Sequence, residues 1–385
     1  MEKLLATKST GRYAKNQSIE ILRFLFAFIV LNFHFFNISG IFTDEEAAGF
    51  WFHHGNLAVE FFFLVSGYLM AASAFRLIES RAKENAPVSI GPSTVDFMKR
   101  KIKGVFLTVL LGWILAFTMY QAFADDHSIK TVFERLYMSF YEVFMLRNAG
   151  FRIYSTFNAS WYISAMMLTM LACYPLLLKF KKTYLYVLAP LIAIFVLGYM
   201  NHNSTTLDNV SAYMGMFYKC QLRAAGEINL GVVLYAVSRK LRTVQFSKFG
   251  MCLLSLVEIA CYAHSIWYMT AIRSKGADYV MLAILAIAVC ISFSQQTYLG
   301  RAANAIPSKV CIFLGRFSLP LYLSQCVLCR KIVPLLYDRF GMGFKFYASG
   351  VVIIFAVSLV IMALTQAIQK WALPFMKRLI VKESV

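Results

Sequence analysis

Apolar runs long enough to cross a lipid bilayer recur along the whole chain. Candidate spans lie near 19–39, 57–75, 104–123, 160–178, 184–200, 212–238, 249–268, 279–298, 310–328 and 347–369. Most of them approach the roughly 20 residues that a helix rising 1.5 Å per residue needs to cross about 30 Å of hydrocarbon. The run near 184–200 is the shortest. The pattern predicts an all-α, polytopic transmembrane helical bundle of about ten helices.

Composition agrees with a membrane protein. Of the 385 residues, 59% are hydrophobic and only 15% are charged, whereas soluble domains are about half apolar and a quarter charged. A formal net charge of +19 would favour nucleic-acid binding in a polar protein, but here the Lys and Arg residues lie in short segments between apolar runs. We therefore expect membrane lipids and no nucleic acid as partners.

The distribution of cations predicts the orientation. Most of the 38 Lys and Arg residues fall in segments that lie inside if the N-terminus is cytoplasmic, as the positive-inside rule requires. With an even number of spans, both termini are then cytoplasmic. We expect a cytoplasmic N-terminal segment at 1–18, one transmembrane domain at 19–370 and a cytoplasmic tail at 371–385. The first span is not followed by a small-residue cleavage site, so we expect it to be retained.

The eight cysteines give little chemistry. All lie in or beside apolar spans, where a free thiol behaves as a small hydrophobic group. Cys326 and Cys329 form a C-x-x-C pair, but they have no second pair and no neighbouring His, so we expect no metal.

The first span carries three ionisable residues, Glu20, Arg23 and His34. Such residues inside a membrane are costly and mark functional sites. At 100° per residue, Arg23, Ala27, Val30 and His34 share one narrow face, which should look into the bundle. Glu20 can pair with Arg23 three residues on, but it is too far along the helix to reach His34.

Glu60 of the second span is a candidate partner for His34. The second span runs back across the membrane, which places Glu60 at a depth similar to that of His34. A carboxylate beside an imidazole fixes its tautomer and raises its basicity, as general-base chemistry requires. The alternative is that His34 only reaches the membrane interface and that Glu60 only begins its helix.

Two further groups of charges stand out. Lys99, Arg100 and Lys103 recur at i, i+1 and i+4, so they can converge on one polyanionic group at the membrane surface. Ordinary positive-inside anchoring is the alternative. Lys219, Arg223 and Glu227 recur at i, i+4 and i+8 within an apolar span, which favours a polar cavity lined by that helix.

Together these residues resemble the membrane-bound acyltransferase family 3, whose bacterial members mostly O-acylate cell-surface glycans. The segments that carry the resemblance are Glu20 to Arg23 with His34, Leu57 to Tyr68 with Glu60 and Ser66, the basic positions Lys99, Arg100 and Lys103, Trp161 with Tyr174 and Pro175, and Gly315 to Gln325 with Ser318 and Tyr322. Three positions depart from the family pattern. Lysines replace both arginines of its R-x-x-x-R, Gln325 replaces a His, and Glu60 replaces an Asp.

The resemblance implies an O-acyltransferase of the bacterial plasma membrane. Its donor would be a cytoplasmic acyl-CoA such as acetyl-CoA, and its acceptor a hydroxyl of an extracytoplasmic glycan such as exopolysaccharide, capsule or O-antigen. His34 and Glu60 would be catalytic, His34 either deprotonating the acceptor or carrying the acyl group transiently. Arg23, Lys99, Arg100 and Lys103 would bind acyl-CoA. Channel or structural support would come from Glu20, Ser66, Arg223, Glu227, Trp161, Tyr322 and Gln325. A second copy of the chain is a possible partner.

Other functions remain open at this stage. In a transporter or lipid-linked-glycan flippase, the path would be lined by Lys219, Arg223 and Glu227, and His34 would be a coupling residue. A non-catalytic sensor has no positive feature behind it.

The outer loops near 124–158 and 201–211 would have to recognise the acceptor. Trp161 and Tyr162 can stack on a sugar ring or belong to the interfacial aromatic belt.

Overall fold

Helices make up almost all of the part of the chain that the computed structural model describes, residues 16–41, 51–149, 156–274 and 276–372. The predicted cytoplasmic ends lie largely outside the described residues, as does part of the predicted acceptor loop, 150–155. In chain order the helices are α1 (Gln17–Phe33), α2 (Val59–Lys83), α3 (Ile90–Ala122), α4 (Ile129–Ser139), α5 (Trp161–Thr183), α6 (Ala189–Asn203), α7 (Lys219–Thr243), α8 (Lys248–Ala271), α9 (Asp278–Ser294), α10 (Tyr298–Ala305), α11 (Ser308–Lys331), α12 (Val333–Phe340) and α13 (Phe344–Ala367).

Short turns and one hairpin complete the described elements. Single π-helical segments follow α1 at His34–Ile38, precede α6 at Tyr184–Leu188 and follow α13 at Ile368–Ala372. Short 3-10 turns are found at Gly55–Ala58, Phe140–Glu142 and Asn158–Ser160. Strands β1 (Tyr213–Met214) and β2 (Phe217–Tyr218) pair antiparallel just before α7.

Seven helices of the described chain are long and apolar enough to cross a membrane, or eight if α9 and α10 form one bent span. The chain is therefore a multi-pass helical membrane protein, while the count of about ten and the orientation stay predictions. Two regions explain why fewer than ten such helices are found. The 25-residue α7 contains charged residues, including Arg223 and Glu227, that lower its mean hydropathy. Residues 158–203 form one continuous helical segment of 46 residues, where the sequence predicts two spans. That segment is kinked at Lys181, where φ is 46° and ψ is −113°.

The outside of the bundle is apolar. Exposed large hydrophobic side chains are spread over several helices and include Ile194, Phe195, Leu253, Leu256, Val352 and Val360. A soluble protein rarely exposes such continuous apolar surface, whereas lipid-facing helices require it. The surface therefore agrees with a bilayer environment.

Close backbone contact joins α2 and α7. A Cβ atom at Gly67 would lie 2.0 Å from the backbone oxygen of Ile228, and one at Gly231 would lie 2.3 Å from that of Leu64. Small residues allow membrane helices to approach in this way. The two helices run parallel, so the contact also places the first turns of α2 and α7 side by side.

The end of α1 and the start of α2 meet at one end of the bundle, which we call the His34 end. A Cβ atom at Gly55 would lie 2.7 Å from the Cβ of Phe33. Aromatic contact between Phe63 and Trp161, with ring centroids 6.1 Å apart, brings the start of α5 to the same end. The opposite end, where α1 begins, is the Gln17 end.

Candidate functional site

A cavity of about 430 Å³ lies between α1, α2, α3, α5, α11 and α13. Three cations, Arg23, Lys101 and Arg316, line it, and none of its described lining residues is acidic. It reaches the surface toward the Gln17 end, where Arg316 and Gln366 are exposed. We call it the cation-lined cavity. Its size suits a small ligand and its charge suits an anion.

Arg23 is held at the cavity wall by its neighbours. Its guanidinium lies 3.8 Å from the carboxylate of Glu20, one helical turn earlier. Glu20 occupies the space that Gly315 leaves on α11, because a Cβ atom at Gly315 would lie 1.7 Å from Glu20 Oε2. The predicted pair of Glu20 and Arg23 is therefore present, and the Gly315 position of the family pattern makes room for it.

Lys101 enters the cavity on one face of α3. Gly104, Val105 and Thr108 line the cavity with it, at the i, i+3, i+4 and i+7 spacing of a single helix face. The small residues on this face are the sequence signal that could have identified Lys101. The neighbouring cations predicted to bind acyl-CoA, Lys99, Arg100 and Lys103, are exposed and do not line the cavity.

Three aromatic rings, Phe62, Tyr162 and Tyr322, line the part of the cavity nearest the His34 end. We call them the aromatic cluster. The ring centroid of Phe62 lies 6.0 Å from that of Tyr162 and 6.3 Å from that of Tyr322, and the two tyrosine centroids are 5.7 Å apart. The Ser66 hydroxyl lies 3.4 Å from the Tyr162 hydroxyl. The cluster closes the cavity.

His34 lies beyond the aromatic cluster and does not line the cavity. Phe61, next to Phe62, stacks on Phe26 with ring centroids 4.4 Å apart, and His34 is eight residues farther along α1. At 1.5 Å per residue, this places His34 about 12 Å past the cluster along the helix. The buried Nδ1 atom of His34 makes no hydrogen bond to another side chain among the described residues.

Gln325 lies on α11 between Tyr322 of the aromatic cluster and the His34 end. Its side chain is fully buried, and neither its amide oxygen nor its amide nitrogen has a hydrogen-bond partner within the described chain. Buried polar groups in proteins are nearly always paired, so an unpaired one calls for a functional or ligand-related reason. The amide can serve a ligand that passes from the cavity toward His34.

Glu60 belongs to a buried ion cluster with Arg223, Glu227 and Trp161. An Arg223 guanidinium nitrogen, Nη2, forms an ion pair with Glu60, and Nε lies 3.7 Å from Glu227 Oε1. The guanidinium carbon lies 5.2 Å from the centre of the Trp161 ring. A second nitrogen donates to the backbone oxygen of Leu207 at 2.9 Å. Two carboxylates thus share one guanidinium in a fully buried site.

This cluster changes two expectations from the sequence. Glu60 was expected beside His34, but it binds Arg223, and no hydrogen bond joins it to His34 in the described chain. Arg223 and Glu227 were expected to line a polar cavity, but both are fully buried against Glu60. The pairing depends on the register of α2 against α7, which the sequence of either helix alone does not contain.

The cation-lined cavity therefore brings together only some of the predicted residues. Those that line it are Arg23, Ser66 and Tyr322. Those that lie elsewhere are His34, Glu60, Lys99, Arg100, Lys103, Glu20, Arg223, Glu227, Trp161 and Gln325. Lys101 and Arg316 are lining residues that the sequence interpretation missed, and Tyr162, which it considered only for stacking on a sugar ring, also lines the cavity. Within the described residues, no group of three or more His, Cys, Asp and Glu side chains could hold a metal ion.

Comparison with known families covers nearly the whole chain. The family model of an acyltransferase domain, acyltransferase family 3, matches residues 16–365. The matched residues include α1 with His34, the face of α3 on which Lys101 lines the cavity, and the α11 segment from Gly315 to Gln325. No curated protein and no solved structure matches the chain. With its apolar helices and the matched domain, the chain belongs to acyltransferase family 3 and is a membrane acyltransferase.

Proposed function

We propose that the protein moves an acetyl group from acetyl-CoA on the cytoplasmic side to a hydroxyl of a glycan on the other side of the bacterial plasma membrane. The observation that carries the proposal is the cation-lined cavity, whose described lining residues include three cations and no acidic side chain. CoA carries several phosphate charges, and Arg side chains bind phosphate oxygens in pairs while Lys binds them as a point charge. Under this proposal the Gln17 end faces the cytoplasm.

The cations divide into two groups in this proposal. Arg23, Lys101 and Arg316 hold the phosphates within the cavity. Lys99, Arg100 and Lys103, exposed on the same helix as Lys101, raise the local concentration of the anionic donor at the entrance. The charge pattern thus attracts the donor first and binds it second.

The pantetheine arm of the donor has to reach His34. Arg23 precedes His34 by eleven residues, about 16 Å along α1, a distance that an extended arm covers. The arm passes Ser66, which lines the cavity, and then the aromatic cluster, which must part to admit it. Beyond the cluster, the unpaired amide of Gln325 can bind a polar group of the arm.

The chemistry belongs to His34 under this proposal. In direct transfer, an imidazole nitrogen accepts the proton of the glycan hydroxyl while the oxygen attacks the thioester carbon. The carbon–sulfur bond breaks, a carbon–oxygen bond forms, and the proton passes to the departing CoA sulfur. In the two-step alternative, the neutral imidazole nitrogen attacks the thioester carbon, the carbon–sulfur bond breaks and CoA leaves as a thiolate. The glycan oxygen then attacks the acyl carbon, the acyl–nitrogen bond breaks, and the hydroxyl proton passes to the CoA thiolate. Glu60 acts as a positioning residue, because its pair with Arg223 fixes the start of α2 beside the start of α7, while the turn at Gly55 holds the end of α1.

The test compares His34→Ala with His202→Ala, a change at an exposed histidine outside the site. Each variant is expressed in a strain that lacks the natural gene, and acetyl groups on its surface glycan are measured by mass spectrometry. Purified protein in vesicles is assayed in parallel for release of CoA thiol from acetyl-CoA. We expect His34→Ala to remain in the membrane without acetylating glycan, and His202→Ala to behave as the wild type.

Two results would overturn the proposal. Full glycan acetylation by His34→Ala would remove His34 from the chemistry. Movement of a lipid-linked glycan across vesicles without any covalent change, together with no acetyl-CoA turnover, would instead support the transporter alternative.

A further inference from the structure

A second cavity of about 570 Å³ lies between α5, α6 and α7, beneath the hairpin of β1 and β2. We call it the hairpin groove. It is separated from the cation-lined cavity by α5, because Met166 and Met167 line the cation-lined cavity whereas Leu168 and Thr169 line the groove. The groove is therefore a distinct site on the opposite face of the same helix.

The groove has the depth of one membrane leaflet. Along its α7 wall it extends from Tyr218, at the end of the hairpin, to Asn229. Eleven residues at 1.5 Å each give about 16 Å, which is about half of the roughly 30 Å of bilayer hydrocarbon. Because α7 starts beside α2 at the His34 end, the groove runs from that membrane surface to mid-membrane.

The lining of the groove is suited to hydrocarbon and not to a charged ligand. None of its sixteen described lining residues carries a charge. Its polar groups are used internally: Asn229 accepts a hydrogen bond from Tyr184 at 2.7 Å, and Gln221 donates to the backbone oxygen of Asn148 at 3.0 Å. A polar ligand would lose water without gaining partners here, whereas an apolar chain gains by entering.

The rim of the groove matches the membrane interface. On the hairpin, Tyr213 and Phe217 are each 53% exposed and Met216 is 84% exposed. Aromatic side chains in this position sit among lipid headgroups. An amphiphile can therefore keep its headgroup at the hairpin while one of its chains descends between the helices.

We propose that the hairpin groove binds one acyl chain of a phospholipid from the leaflet at the His34 end. A phospholipid chain ends at the bilayer centre, where the groove also ends, whereas an isoprenoid carrier chain is longer than one leaflet. The bound chain packs against α5, whose other face lines the cation-lined cavity. This inference does not depend on acyl transfer, since lipid can bind whether or not the protein acetylates a glycan.

Photo-crosslinking tests the proposal with the full-length protein. The protein is reconstituted in vesicles of phosphatidylethanolamine and phosphatidylglycerol that contain phosphatidylcholine with a diazirine on one chain. After illumination, labelled residues are mapped by mass spectrometry. A diazirine near the headgroup should label the hairpin around Met216, and one near the methyl end should label Cys173 and the Asn229 region. Labelling that does not change with diazirine position would overturn the proposal.

A variant pair sharpens the test. Ala225→Trp places an indole into the groove, and Ala263→Trp places one on the exposed surface of α8 as the matched control. We expect Ala225→Trp to lose the groove labels and Ala263→Trp to keep them. Equal labelling in both variants would refute the groove as the lipid-binding site, and displacement of the label by polyprenyl phosphate would refute the phospholipid as its occupant. The comparison of diazirine positions uses the unchanged protein, so it remains decisive if Ala225→Trp does not fold.

Discussion

The same two helices, α2 and α7, are joined by two Arg–Glu ion pairs in opposite environments, which allows one prediction to be worked out closely. Glu60 and Arg223 are 0% and 1% exposed, whereas Glu79 and Arg239 are 54% and 49% exposed and lie 2.9 Å apart. We consider Arg223→Met and Arg239→Met. Each change removes a guanidinium and keeps a long side chain on the same helix.

The two variants should lose very different amounts of unfolding free energy. Arg223→Met removes the guanidinium that is paired with the buried carboxylates of Glu60 and Glu227, and breaking a buried pair in this way costs about 3–5 kcal/mol of unfolding free energy. Loss of the contact with Trp161 adds to this cost. That corresponds to a change of about two to four orders of magnitude in the unfolding equilibrium. Arg239→Met removes an exposed pair, which contributes about 0–1 kcal/mol.

The assay is unfolding of the purified protein in mixed micelles titrated with sodium dodecyl sulfate, followed by helical circular dichroism. A double-mutant cycle with Glu60→Gln isolates the pair itself. Arg223→Met with Glu60→Gln should be less destabilised than the sum of the two single variants, because the second change removes one stranded charge. If Arg223→Met is no more harmful than Arg239→Met, the ion cluster does not stabilise the bundle and our reasoning about it is wrong.

Two further changes probe the helix contact and the donor site. Gly231→Ala should destabilise the protein by about 1–3 kcal/mol because its methyl group meets the α2 backbone. As the control, Gly198→Ala has nothing within 4 Å of the new methyl group and should stabilise α6 by up to about 1 kcal/mol. Comparable losses of stability for both variants in the same unfolding titration would contradict the close approach of α2 and α7. Lys101→Gln should raise the KM for acetyl-CoA about tenfold through loss of a charged contact of about 1.5 kcal/mol, with Lys248→Gln, exposed at the start of α8, as the control. A larger effect for Lys103→Gln than for Lys101→Gln would place the phosphates outside the cavity.

The sequence was most informative about features that a single helix determines by itself. The spacing of Arg23, Ala27, Val30 and His34 predicted an inward face of α1, and in the structure Ala27 and Val30 are buried while Arg23 lines the cavity. The all-α membrane bundle followed in the same way from runs of apolar residues. Such features are local, because a single helix determines which of its side chains share a face.

Features that depend on two helices could not be read in this way. The distance between Glu60 and Arg223 depends on how far α2 is shifted along α7, which is fixed by the contacts of Gly67 and Gly231. The inward rotation of Lys101 relative to Lys103 depends on what α3 packs against. A cluster of cations at a membrane surface satisfies the positive-inside rule with any of its members facing inward.

The aromatic cluster has a consequence for the cell that contains this protein. A passage that carries a thioester from one side of a membrane to the other would, if filled with water, also conduct protons and ions and dissipate the membrane potential. Phe62, Tyr162 and Tyr322 close the cation-lined cavity about 12 Å short of His34. A constriction lined by aromatic rings hinders the passage of water and ions, so the closed rings would limit leakage through such a passage. Under the proposed function, each donor then has to displace the rings to react.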